Sequence, residues 1–244
     1  MEIITGKKAA PWKIVLYGPP GVGKSSICAY APNPLFIDIE FGLNRINCHK
    51  TPRISAWESG DMKAPGFIEA MKFAAESDYK TIVIDTISAL ESLLTDKVKK
   101  DFGKPIGSIA EMPYGTGFEA LKAEWARVIK MVTRLQEGYG KNVVLVGHSK
   151  VEPVNDPTTE SYDTFTLDTQ KKSQQTITTN MDAVLFCRQE ILTKERESGQ
   201  KLRGITTGDR YIYTIETPAY LAKNRFGLEA KVKMSPEIFE RLEK

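Results

Sequence analysis

The stretch Gly18-Pro19-Pro20-Gly21-Val22-Gly23-Lys24-Ser25 constrains this chain more than any other. Its glycines let consecutive backbone N–H groups turn inward around an anion, and a helix starting there adds its positive end. The apolar run Lys13-Ile14-Val15-Leu16-Tyr17 before it suits a buried strand, and Ser26 to Tyr30 can continue as a helix until Pro32. Strand, glycine loop and helix, in that order, is the context that the spacing G-x-x-x-x-G-K-[ST], the P-loop, requires. In that reading Gly18, Pro19, Pro20, Gly21, Val22, Gly23, Lys24, Ser25 and Ser26 cradle phosphates. Lys24 reaches the β- and γ-phosphates, and the Ser25 hydroxyl ligates Mg²⁺. The implied ligands are ATP and Mg²⁺.

A length of 244 residues accommodates one α/β domain with a substantial core, here taken as residues 1–244. The net charge of +3 carries no global nucleic-acid signal, so any basic surface has to be local. Cys28, Cys48 and Cys187 are scattered, which fits reduced thiols in a cytoplasmic compartment rather than a disulfide framework. Cys48-His49 lacks the second ligand pair of a zinc site. No signal peptide or long apolar run stands out, so a cytoplasmic protein without a membrane segment is expected.

Residues 1–12 read as a short lead-in. Leu35-Phe36-Ile37-Asp38-Ile39-Glu40 reads as a second strand, closed by Gly42, and a further short strand is expected around Arg53-Ile54. Phe67 to Ser77 has helical spacing, and Thr81-Ile82-Val83-Ile84-Asp85 is an apolar strand ending in a carboxylate. Residues 86–100 read as helix, Phe102 to Gly117 as a Gly/Pro-rich loop, and Phe118 to Glu137 as an amphipathic helix. Asn142 to His148 is the next buried strand. Residues 152–176 are polar and read as a long loop. Asp182 to Leu192 and Arg210 to Glu216 are strand-like and flank a charged turn at Glu197-Ser198-Gly199-Gln200, and Ser235-Pro236 starts a last helix. Alternating strands and helices predict an α/β fold, with a mostly parallel sheet covered on both faces.

Two strand tips then become candidates for chemistry. Asp85 is placed to hold Mg²⁺ with Ser25, although a carboxylate there can also cap the following helix. Glu40 opens onto the carboxyl edge of the sheet, where open α/β sheets place ligands, and can orient and deprotonate an attacking water. Asp38, two residues back on the same face, competes for that role.

These residues also carry a resemblance. Leu35 to Glu40 followed by Gly42-Leu43 looks like the RecA-family strand that ends in the catalytic glutamate. Thr81 to Leu90 is similar to that family's Walker B strand, and Val143 to Lys150, VVLVGHSK, resembles its γ-phosphate sensor strand. The likeness implies a RecA-like P-loop fold with a C-terminal antiparallel extension, His148 as the γ-phosphate sensor, and Ala222-Lys223-Asn224-Arg225 as a basic segment. In that segment Lys223 and Arg225 would complete the ATP site of a neighbouring subunit. Within the family the chain resembles the phage-encoded Sak-type ATPases of single-strand annealing and recombination. No N-terminal polymerisation segment or additional DNA-binding domain of full recombinases is recognisable in these residues, so filament formation and strand exchange are not expected of it.

The resemblance further implies single-stranded DNA as a partner, a homo-oligomer with ATP at subunit interfaces, and a single-strand binding protein as a candidate partner in the host cytoplasm. Two stretches would line the DNA path, roughly Lys97 to Gly117 and Val151 to Thr176. Their candidate contacts are Lys99, Lys100, Phe102, Lys104, Lys171 and Lys172, lysines for phosphates and aromatics for bases. The expected activity is slow ATP hydrolysis. Two other readings stay open: a non-hydrolysing annealing protein switched by bound ATP, and an ATPase acting on a protein partner.

Overall fold

The computed structural model describes residues 10–61, 63–194 and 203–243. Alternation within the first strand, β1 (Lys13–Gly18), shows how the core is built. Val15 and Tyr17 point to one face of the sheet and Ile14 and Leu16 to the other, and all are buried because both faces are covered. The chain continues through α1 (Lys24–Cys28), β2 (Pro34–Asp38), β3 (His49–Lys50), α2 (Phe67–Glu76), β4 (Thr81–Asp85), α3 (Ile87–Asp101) and α4 (Thr116–Tyr139). It then forms β5 (Asn142–Val154), β6 (Tyr162–Leu167), α5 (Lys171–Asn180), β7 (Ala183–Lys194), β8 (Arg203–Tyr213), β9 (Lys223–Asn224), β10 (Lys231–Lys233) and α6 (Glu237–Leu242).

The strands form one sheet in the order β10-β8-β7-β1-β5-β4-β2-β3, with β6 paired to β5 and β9 to β7. The run from β7 to β3 is parallel, and β8, β10, β6 and β9 are antiparallel additions. The fold class expected from the sequence, with its C-terminal antiparallel extension, is therefore the one observed. Helices α2, α3, α4 and α5 pack on one face, through residues such as Phe67, Leu90, Trp125 and Ile177. Helices α1 and α6 cover the other, where Trp12 stacks on Phe239 at 5.9 Å between centroids. Among the described residues no helix is long and apolar enough to cross a membrane.

Two expectations are corrected. The short strand is at His49–Lys50, in register with Leu35 and Phe36, rather than at Arg53-Ile54. Pro52 interrupts pairing, and Ile54 attaches to the sheet by one backbone bond, its N–H donating to the Asp38 carbonyl at 2.8 Å. The polar stretch 152–176 is not a long loop. β5 runs on past the sheet to Val154, folds back as β6 with Ser149 opposite Leu167 and Val154 opposite Tyr162, and leads into α5. The outer part of this ribbon is half-buried to exposed, so it carries no apolar alternation to read. The charged turn at residues 197–200 and the lead-in up to residue 9 lie outside the described residues.

Candidate functional site

The loop between β1 and α1 is built on glycine where nothing else fits. A Cβ on Gly18 would lie 2.1 Å from the Cys187 carbonyl oxygen of β7, so the loop leaves the sheet through a gap with no room for a side chain. Gly21 and Gly23 have φ of 75° and 96°, the left-handed region in which L side chains are strained. Lys24 folds back over the loop and is 5% exposed, its ammonium donating to the Gly18 and Pro19 carbonyls at 2.9 Å each. Burial lowers its pKa, while Asp85 and Glu40 are among the groups that oppose the shift.

Strand β5 stands between β1 and β4, yet Ser25 and Asp85 come close: the Ser25 hydroxyl is among the groups that hold the Asp85 carboxyl's pKa down. Asp85 is 4% exposed, and burial pushes its pKa up to about 6, against the opposing influence of the Ser25 hydroxyl. The cap of α3 is Thr86, whose Oγ1 accepts from the Ala89 N–H at 3.4 Å, so Asp85 is not occupied as a helix cap.

Asp38 and Glu40 divide cleanly. Asp38 is opposite Asp85 in the register of β2 and β4 and is 2% exposed. Its Oδ1 accepts from the Phe41 N–H at 2.8 Å, which shapes the turn after the strand. Phe41 holds that turn with φ of 63°, a left-handed conformation that is costly for a bulky residue. The turn carries Glu40 over the end of β4, its N–H 3.2 Å from the Asp85 carbonyl, and into contact with His148. His148 Nε2 lies 3.0 Å from Glu40 Oε1 and 3.2 Å from Oε2. That hydrogen bond, the largest influence on Glu40, holds its carboxyl below the usual range, with the Thr86 hydroxyl acting in the same direction. His148 Nδ1 is buried without a partner among the described residues. The loop amides, Lys24, Ser25, Asp85, Glu40 and His148 thus converge at the carboxyl edge of the parallel strands. The donor set fits a triphosphate, and the Ser25–Asp85 pair fits a hard cation that prefers oxygen ligands.

Lys223 and Arg225 are elsewhere. Lys223 on β9 is opposite Val184, and Ala183 beside it is in register with Ile14 near the start of β1. Ile14 and Gly18 are four residues apart on one strand, which is roughly 13 Å at the usual rise. The basic pair therefore lies toward the opposite end of β1 from this chain's own loop. The Lys223 ammonium donates to the Thr178 and Thr179 carbonyls at 3.1 and 3.0 Å and so caps the last turn of α5. Arg225 Nη1 is 3.7 Å from Asp182 Oδ1.

The candidate DNA contacts are dispersed. Lys99 and Lys100 are in the last turn of α3, where Lys99 pairs with Asp96 at 2.9 Å. Phe102 packs on the core, and Lys104 is exposed in the following turn. Lys171 and Lys172 open α5, and Lys172 is ion-paired with Glu119. The sequence reading missed Tyr114, fully exposed with φ of 55° in the same stretch as Lys104. It also missed Arg210 on β8, whose guanidinium lies beside the phosphate loop: a Cβ on Gly23 would be 2.8 Å from Arg210 Nη1. No local pattern marks either residue.

This architecture defines a P-loop nucleotide-binding protein. A family model described as an AAA domain matches residues 10–226, and the chain belongs to that family of P-loop nucleoside triphosphatases. No curated protein matches the chain.

Proposed function

We propose that this protein is an ATPase that binds ATP with Mg²⁺ and hydrolyses it slowly in the service of single-stranded DNA annealing or recombination, as the Sak-type likeness implies. The observation that carries the catalytic part is the convergence of Ser25, Asp85, Glu40 and His148 at the mouth of the phosphate loop. The loop amides and Lys24 would hold the phosphates, with Lys24 exchanging its two carbonyl partners for phosphate oxygens. Ser25 and Asp85 would hold Mg²⁺, which supplies charge neutralisation on the phosphate oxygens. Glu40, kept ionised by His148, is poised to take a proton from a water attacking the γ-phosphorus. His148 would link occupancy at that position to the ribbon beyond it, since its carbonyl accepts from the Asp168 N–H at 2.9 Å.

Lys223 and Arg225 serve this scheme only from a neighbouring copy, so the proposal includes a homo-oligomer with ATP at subunit interfaces. Lys171 on the DNA path is supported by its exposure and by its place at the carboxyl edge, on the helix that follows Asp168. The scheme places the protein in the cytoplasm, where a single-strand binding protein would be available as a partner.

The test measures phosphate release with and without Mg²⁺, and binding of a labelled single-stranded oligonucleotide with and without ATP across a salt series. Mg²⁺-dependent release and DNA binding that weakens steeply with salt are expected, with Lys171→Glu, Lys172→Glu weakening it further. DNA binding without release would favour an ATP-switched annealing protein. Release without DNA binding would favour an ATPase whose partner is a protein.

A further inference from the structure

Arg210 stands beside the phosphate loop on the side that the catalytic scheme leaves unused. Asp85 is on β4, His148 on β5 and Glu40 in the turn after β2, all on one side of β1. On the proposed scheme the terminal phosphate and its metal would face that side, and the nucleoside would leave the loop in the other direction, toward β7 and β8. There Arg210, opposite Gln189 in the β7–β8 ladder, is held at its backbone by the Met234 N–H donating to its carbonyl at 2.9 Å. Its guanidinium crosses to the loop and lies against Gly23, close enough that a Cβ there would be 2.8 Å from Nη1 and 4.0 Å from the Met234 methyl. Arg210 is exposed, and among the described residues it makes no ion pair.

From this placement we infer that Arg210 is a nucleotide-binding residue of this chain's own site: its planar guanidinium forms a platform on which the base of the bound nucleotide stacks. The inference rests on the reading of the loop as an ATP site. A guanidinium is suited to the task because it is planar, weakly hydrated and stacks on aromatic faces. The Met234 methyl extends the same surface with a polarizable apolar group. The arrangement also gives Gly23 a second reason to be glycine, since a side chain there would displace the platform.

Binding of ATP and of inorganic tripolyphosphate to the wild type, Arg210→Ala and Arg210→Lys, followed by calorimetry with circular dichroism as the folding control, tests the assignment. Arg210→Ala is expected to weaken ATP binding roughly tenfold and leave tripolyphosphate binding within about twofold. Arg210→Lys, which keeps the charge and loses the plane, is expected to bind ATP nearly as weakly as the alanine variant. Equal weakening of both ligands, unchanged ATP binding in Arg210→Ala, or full ATP affinity in Arg210→Lys would each overturn the stacking role. A wild type that binds neither ligand would instead overturn the nucleotide site itself, and the platform with it.

Discussion

Glu40 and His148 lie 108 residues apart in the chain and share a hydrogen bond, with Nε2 3.0 and 3.2 Å from the two carboxylate oxygens. The contact exists because β2 and β5 both flank β4 and bring the turn after β2 and His148 to the same sheet edge. Its consequence is a carboxylate kept ionised and aimed, two conditions a general base must meet.

Glu40→Gln is therefore expected to lower ATP turnover by about 10²- to 10⁴-fold, with nucleotide affinity nearly unchanged. His148→Ala should cost less if Glu40 is the base, as proposed, because it removes only that carboxylate's hydrogen-bond partner. Steady-state phosphate release paired with calorimetric ATP binding checks both. Full activity in Glu40→Gln would move the base elsewhere, with Asp38 the next carboxylate to test.

The Ser25–Asp85 pair predicts how Mg²⁺ acts. Two buried carboxylates, Asp38 and Asp85, stand opposite each other in the register, and a divalent cation beside them relieves their repulsion. ATP with Mg²⁺ should raise the thermal midpoint more than ATP with EDTA, and Asp85→Asn should erase that difference. An Asp85→Asn protein that still responds to Mg²⁺ would place the metal on other ligands.

Lys223 has two roles to separate. Because its ammonium caps α5, Lys223→Ala should destabilise the isolated chain by about 0.5–1 kcal/mol, read by urea denaturation without nucleotide. If the same residue also completes a neighbour's site, mixing Glu40→Gln with a Lys223→Ala, Arg225→Ala protein should restore part of the ATP turnover. Folded parents and no recovery on mixing would leave Lys223 with the structural role alone.

Two glycines of α4 should respond in opposite directions. A Cβ on Gly117 would sit 2.2 Å from the Ile109 carbonyl oxygen, whereas one on Gly138 would meet only Arg134 Cγ, at 3.6 Å. Gly117→Ala should cost about 1–3 kcal/mol through overpacking, and Gly138→Ala should gain up to about 1 kcal/mol of helix propensity. Denaturation midpoints of the two variants decide it, and equal shifts would contradict the packing described.

The phosphate loop, the strand ending in Asp85, the strand that leads to Glu40 (which ends at Asp38, two residues earlier than expected) and the parallel character of the sheet were legible from the amino-acid sequence alone. The loop is a matter of local backbone chemistry, with glycines at fixed spacing between a strand and a helix, and buried parallel strands announce themselves as unbroken apolar runs. The β5–β6 ribbon was not legible, because with both faces partly in water it carries no period. What only the tertiary structure decided are contacts between distant residues: the Glu40–His148 hydrogen bond, Arg210 against Gly23, and Lys223 on the end of α5. Such contacts depend on strand order and register, which follow from how all the elements pack together and leave no mark at any one position in the chain.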